Sequence, residues 1–205
     1  MQLITKSYFA NQNYLSIPLA ILDPSGAPSN ASELDNLCIK IEREVMLNAL
    51  GLTLYKLFFA LDSTSIELPA NARWKALVYG QEYEEKVWEG LVNEYSLIAY
   101  RIFETFTHDT NTRLSANGVT KVDAQNAENK TPAYMITNSN NEFIKKYQGQ
   151  MLKEPYIYDN FIDYFGHQEE IERSMYAYLI DKKALFPEWK QENFRIYESK
   201  NSFGI

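Results

Sequence analysis

Between Ser32 and Ala49, Leu34, Leu37, Cys38, Ile41, Val45 and Ala49 recur at a spacing that an α-helix gathers onto one face. A helix with a single apolar stripe must bury it against another element, so this stretch commits the chain to a packed helical layer. Ser32 followed by Asp35 resembles a capping box with a shortened acid, and Glu33 adds negative charge where the helix dipole favours it. Gly51 stands where a left-handed C-cap is wanted. The pattern resumes from Leu52 to Leu61, with Leu54, Leu57, Phe58 and Leu61.

The same period recurs downstream. Pro69 and Asn71 introduce a short helix over Ala72 to Tyr79, closed by Gly80, with Trp74, Leu77 and Val78 on one side. The strongest pattern runs from Val92 to Thr107, through Tyr95, Ile98, Ala99, Ile102, Phe103 and Phe106. Thr107 to Gly118 is rich in residues that compete with the backbone for hydrogen bonds, and reads as a loop. A helix returns from about Pro132 to Gln148, with Tyr134, Met135, Asn138, Asn141, Phe143 and Tyr147, and another spans Gln168 to Leu185, with Ile171, Met175, Tyr178 and Leu179, before Pro187 stops it. The expected fold is all-α in the main, a small bundle of about five to six helices. Pro18, Asp23-Pro24-Ser25-Gly26 and Pro28 mark residues 1–31 as an irregular arm. Residues 32–149 then form the helical domain, and 150–205 an aromatic-rich extension and tail.

Composition narrows the function. The 205 residues carry a net charge of −7, which argues against a protein that grips a phosphate backbone. The single cysteine, Cys38, excludes an intramolecular disulfide and a cysteine-built zinc site, and its place in the apolar stripe reads as a buried, inert thiol. No apolar run is long enough for a bilayer, and Met1 to Ala10 lacks the basic start and apolar stretch of a signal peptide. A soluble protein of a reducing cytoplasm is expected.

Catalytic signatures are absent: no glycine-rich phosphate loop, nucleophile elbow or His-Glu-x-x-His. Glu104 and His108 share a helix face, and Asp159, Asp163 and His167 follow at successive four-residue steps that could aim three ligands one way. A solvated acidic face broken by Gly166 accounts for the second set. The carboxylates Glu82, Glu84, Glu85, Glu89 and Glu94 read as a helix start favoured by the dipole, softened by Lys86. No catalytic residue, metal or cofactor is expected.

The unusual feature is aromatic: 15 Tyr, 11 Phe and 3 Trp, with twelve of them between Tyr156 and Phe203. Ile171, Met175, Tyr178 and Leu179 read as core. Trp189, Phe194, Tyr197 and Phe203 follow no helical period, so partner contact is the expectation for them, with Lys190, Arg195 and Lys200 as a local basic stretch.

The order of motifs adds a resemblance. Ile41-Glu42-Arg43-Glu44-Val45-Met46-Leu47 runs into Ala49-Leu50-Gly51, Leu54-Tyr55 and Leu57-Phe58. Trp74, Leu77-Val78, Gly80 and Tyr83 follow, then Trp88, Gly90-Leu91 and the helix Ser96-Leu97-Ile98-Ala99-Tyr100-Arg101-Ile102-Phe103. Gly118-Val119, Ala124 to Ala127, and Asn141, Phe143 and Tyr147 complete the series. Over about residues 33–148 this resembles a family of head–tail connector proteins of tailed phages and prophages of Bacteroidetes, including crAss-like phages. The resemblance implies a virion protein assembled in the host cytoplasm. It would form a homo-oligomeric ring of about twelve copies under the portal protein, extend the DNA channel and seat neighbouring tail proteins. DNA would pass through without sequence-specific binding, and no membrane is involved. On this reading the segment from Glu188 to Ile205 docks on the portal or a neighbouring copy and is dispensable for the helical fold. A tail-completion or stopper protein, and a non-structural helical binding or regulatory protein, stay open as alternatives.

Overall fold

The computed structural model describes residues 1–10, 15–17, 30–115, 118–121, 133–149 and 172–198. Among these, six α-helices follow in order: α1 Lys6–Ala10, α2 Asn30–Phe59, α3 Ala72–Tyr79, α4 Leu97–Asn111, α5 Ala133–Gln148 and α6 Met175–Asp181. Two antiparallel hairpins join them, β1 Gln81–Tyr83 with β2 Lys86–Trp88, and β3 Thr112–Ser115 with β4 Gly118–Lys121. The fold is mainly α, as the hydrophobic period predicts.

α4 is the central helix. It packs against both α2 and α5, which scarcely touch each other. Its buried face carries Leu97, Ile98, Ala99, Ile102, Phe103 and Phe106, and the facing stripe of α2 buries Leu34, Cys38, Ile41, Val45 and Ala49. Gly51 interrupts α2 with φ 74° and ψ 166°, a left-handed backbone that glycine adopts without strain. A break inside a helix leaves carbonyls of the preceding turn without their usual donors. Two of them are met from the far end of the chain: Trp189 Nε1 donates to the Ala49 carbonyl at 2.8 Å, and the Arg195 amide donates to the Asn48 carbonyl at 2.9 Å. A Cβ on Gly51 would lie 3.2 Å from Asn193 Nδ2, so the same glycine also lets the tail approach.

Several boundaries differ from the periodic reading. α2 begins at Asn30, two residues before the expected Ser32 cap, and Asp35 pairs with Lys6 at 2.7 Å. α4 starts at Leu97 rather than Val92. Ser96 donates to the Leu91 carbonyl at 2.7 Å while its Oγ accepts from the Ala99 amide at 3.4 Å, and Asn93 Oδ1 holds the Tyr95 amide at 2.7 Å. These side chains build a turn where apolar spacing alone continues the helix. At its other end α4 runs on to Asn111 and passes into β3, so of the stretch expected as a loop from Thr107 to Gly118, Thr107 to Asn111 is helix and Thr112 to Ser115 and Gly118 are strand.

The acidic stretch after α3 is also a hairpin rather than a helix start. Gly80, with φ 90°, ends α3, and a Cβ there would lie 2.6 Å from the Trp88 carbonyl, so β2 can cross only a glycine. Glu84 and Glu85 make the two-residue turn, both with positive φ (48° and 63°). The last helix is shorter than expected: Ser174 caps α6 by accepting from the Ala177 amide, and Lys183–Leu185 closes it as a 3-10 turn. Glu172 bridges to Val87 instead of being helical.

One hydrophobic core takes residues from all three stretches of the chain. Ile4, Phe9, Leu15 and Ile17 enter it from the expected N-terminal arm, and Trp189 and Phe194 from the expected tail. The described part of the arm is therefore a folded element, anchored where the Glu42 carboxylate accepts from the amides of Leu3 (2.8 Å) and Ile4 (3.2 Å).

Candidate assembly surfaces

The tail residues named as partner contacts are placed on the chain's own core. Trp189 is 2% exposed and Phe194 6%; Tyr197 is half-buried, and Phe203 lies outside the described residues. Phe194 stacks on Tyr147 at 4.5 Å and meets Tyr176 edge-on at 4.8 Å. Tyr197 closes the gap between α2 and α5. Its hydroxyl accepts from Asn48 at 2.6 Å, its backbone exchanges two hydrogen bonds of 2.7 Å with the Gln148 side chain, and its ring packs edge-on to Phe143. The expectation that this segment leaves its own chain free is corrected: the aromatic rings fill a seam between helices, and their polar ends satisfy groups that the seam exposes.

A second polar junction ties the first hairpin to α6. One carboxylate oxygen of Asp181 accepts from Arg173 Nε at 3.1 Å, the Tyr83 hydroxyl at 3.0 Å and Lys86 Nζ at 3.4 Å. Burial, then the Asp181 charge, pushes the Tyr83 hydroxyl well above the ordinary phenol range. Trp88 stacks on Tyr178 at 5.2 Å and donates to the Leu77 carbonyl at 3.0 Å. These are the contacts of a structural joint.

The residues weighed for chemistry are dispersed. Glu104 is buried and accepts from Arg101 at 2.6 Å, whereas His108 stands in solvent beside Asp109. Glu82, Glu84 and Glu85 are exposed on the hairpin, and Glu89 pairs with Lys146. Cys38 is buried, and burial, helped by Asp35 and Glu42, pushes its thiol up to about 12. Among the described residues no three His, Cys, Asp or Glu side chains come together to hold a metal; Asp159, Asp163 and His167 lie outside them. No helix among the described residues is long and apolar enough to cross a membrane.

What the surface of the described residues does offer is a groove along α2 and another between α4 and α5, each with exposed apolar side chains. The first, about 590 Å³, lies along α2 across its break; Ile39, Met46, Tyr55 and Phe59 line it with Met1, and Arg43 stands at its edge. Ile39 and Phe59 are 57% and 60% exposed, far more than core packing allows. The second, about 350 Å³, lies between α4 and α5, where Tyr95, Tyr100 and Phe103 face Tyr134 and Met135. Tyr134 is 78% exposed and Met135 49%. Burial above all, then Glu142, pushes the Tyr100 hydroxyl up to about 12, and Glu142 and Glu89 are themselves paired with Lys145 and Lys146.

Neither groove was singled out by sequence reasoning. Tyr134 and Met135 lie within the expected fifth helix, but apolar spacing alone does not say which apolar side chains a neighbour covers. Ile39 carried a usable signal: with Met46 and Leu47 it is one of the apolar residues of this helix that lie off the Leu34–Ala49 stripe.

Compared with known proteins, the chain matches no family model, no curated protein and no solved structure.

Proposed function

We propose that this chain is a structural ring subunit, the head–tail connector or adaptor of a tailed phage, acting in the virion below the portal and extending the DNA channel to the tail. The observation that carries the reading is the pair of separate grooves on one helical domain, each bearing exposed large apolar side chains, Ile39 and Phe59 in one and Tyr134 and Met135 in the other. A ring of identical copies needs two different contact surfaces per copy, each facing its counterpart on a neighbour. Large exposed apolar patches on a small domain mark interaction sites. The ordered motifs from Ile41 to Tyr147 support the same reading. An acidic chain suits a channel that must pass DNA without holding it, because like charge repels the phosphate backbone.

The test is co-expression with the portal protein of the same genome, followed by affinity capture and negative-stain microscopy. A ring of additional density on the portal is expected. Capture of tail components without the portal would instead favour a tail-completion or stopper role, and a chain that captures neither would refute a virion connector.

A further inference from the structure

We infer that residues 1–4 are a strap across the groove along α2, latched by the single carboxylate of Glu42, so that the groove has a closed and an open form. The inference stands apart from the ring reading, since it concerns how the groove is walled and not what enters it.

The strap lies on the bend of α2. Gly51 divides that helix, and the groove sits across the division, with Ile39 and Met46 from the first half and Tyr55 and Phe59 from the second. Met1 and Gln2 line it as well, so part of its wall is not α2 at all. The strap has no regular secondary structure. Among the described residues, what holds it is sparse. The amides of Leu3 and Ile4 both donate to the same oxygen of Glu42, Oε2, at 2.8 and 3.2 Å. The Ile4 carbonyl accepts from Gln2 Nε2 at 3.0 Å, a bond inside the strap itself. Past the bend, the Met1 nitrogen donates to the Leu61 carbonyl at 3.4 Å, near the limit of a hydrogen bond. Ile4, 1% exposed, is the one fully buried side chain of the four.

The chain after the strap is fixed independently. The Tyr8 hydroxyl donates to the Asn93 carbonyl at 3.0 Å and accepts from the Ser96 amide at 3.1 Å. Phe9 is fully buried, and Lys6 pairs with Asp35 at 2.7 Å. Thr5, exposed, lies between the two parts. Residues 1–4 can therefore lift about Thr5 while α1 stays seated. Glu42 sets the balance, because without it two amides lose their acceptor at once. It also lines the groove, so latch and wall meet in one place. Charge-assisted bonds to a carboxylate on a helix, with Ile4 as the plug, keep the strap closed at rest. Lifting it takes Met1 and Gln2 out of the groove and opens the angle between the halves of α2 to solvent.

The experiment uses the full chain. Glu42→Ala removes the latch, and Ile4→Ala separately weakens the plug. Amide hydrogen exchange followed by NMR should show residues 3 and 4 exchanging at least about 10-fold faster in each variant than in wild type, with Ile102 in α4 unchanged. Groove access is read from a thiol placed by Met46→Cys, a position that lines the groove yet is 1% exposed, with Cys38→Ala leaving no other cysteine. In that background a maleimide should label the thiol at least about 10-fold faster once Glu42→Ala is added. Unchanged exchange at residues 3 and 4 in Glu42→Ala would show that the carboxylate is no latch. Faster exchange there with unchanged labelling at position 46 would show that the strap does not wall the groove. Equal acceleration at Ile102 would mean that the variants loosen the whole fold. Each of these results overturns the inference.

Discussion

Replacing Trp189 by alanine is the perturbation that most directly tests how the C-terminal segment is held. The indole is 2% exposed, packs edge-on to Tyr176 at 6.2 Å and to Phe194 at 6.4 Å, and donates to the Ala49 carbonyl at 2.8 Å. Truncating a buried tryptophan costs about 3–5 kcal/mol. Of that, about 1 kcal/mol belongs to the hydrogen bond, because the break at Gly51 leaves the Ala49 carbonyl in need of a donor and alanine supplies none. Trp189→Phe keeps a six-membered ring but loses three buried ring atoms and the donor, so a cost of about 2–3 kcal/mol, below that of alanine, is expected. For a chain of this length each kcal/mol lowers Tm by about 2–4 °C, so Trp189→Ala should melt at least about 6 °C below wild type. Ending the chain after Pro187 removes Phe194, Tyr197 and the Arg195 amide as well. Its cost then approaches the whole stability of a typical domain, about 5–15 kcal/mol. Urea unfolding followed by far-ultraviolet circular dichroism and tryptophan fluorescence reads all three variants. A chain truncated after Pro187 that keeps the wild-type midpoint and slope would refute the reasoning and restore the tail as a dispensable arm.

Three further outcomes follow from the described contacts. Glu42 is buried against the Leu3 and Ile4 amides, and burial raises its carboxyl above the ordinary 4.5. A carboxyl whose folded pKa is raised favours the folded state below its unfolded value and loses that contribution as pH rises through the folded value. Glu42→Gln should therefore hold or raise Tm at pH 8 and flatten its dependence on pH above about 4.5; a uniform loss of stability across that range would count against it. Glu84→Asn with Glu85→Gly places residues suited to positive φ at the β1–β2 turn and should add about 1 kcal/mol, read as a higher urea midpoint; an unchanged or lower midpoint would show that the turn is not strained. Cys38, buried and with its thiol pushed up to about 12, should resist an aromatic disulfide reagent at neutral pH until urea unfolds the chain; fast labelling of the native protein would contradict that burial.

Much of the helical frame was legible because it depends on local period. The Leu34–Ala49 stripe, the stop at Gly51 and the short helix from Ala72 to Tyr79 follow from spacing and glycine placement, and the structure has them. What spacing misread lies where side-chain hydrogen bonds compete with it. Asn93 and Ser96 delay α4 by a turn, and the Glu84–Glu85 turn makes a hairpin that neither residue's φ preference favours. The hairpin is sustained by distant partners instead, through Trp88 on Tyr178 and Lys86 and Tyr83 on Asp181. No local rule contains those contacts. The grooves were harder still, since exposure of Ile39 and Tyr134 depends on what the rest of the fold leaves uncovered.

The aromatic tail shows why composition locates an unusual feature without assigning its use. Tryptophan and tyrosine suit an interface and a core seam for the same reason: a large apolar body and one polar end. What separates the two uses is whether the chain itself presents acceptors and donors for those polar ends. Here it does. Gly51 breaks α2, the break leaves the Asn48 and Ala49 carbonyls to the tail, and the Asn48 and Gln148 side chains complete the seat for Tyr197. Once Trp189 and Phe194 are committed inward, the most exposed aromatic side chains among the described residues are Tyr134, beside Met135, and Phe59, with Tyr79 and Tyr95 less so. A subunit that had to bind its neighbours through the tail would lose its own fold's keystone on dissociation. One that binds through α2 and α5 keeps its core intact whether assembled or free.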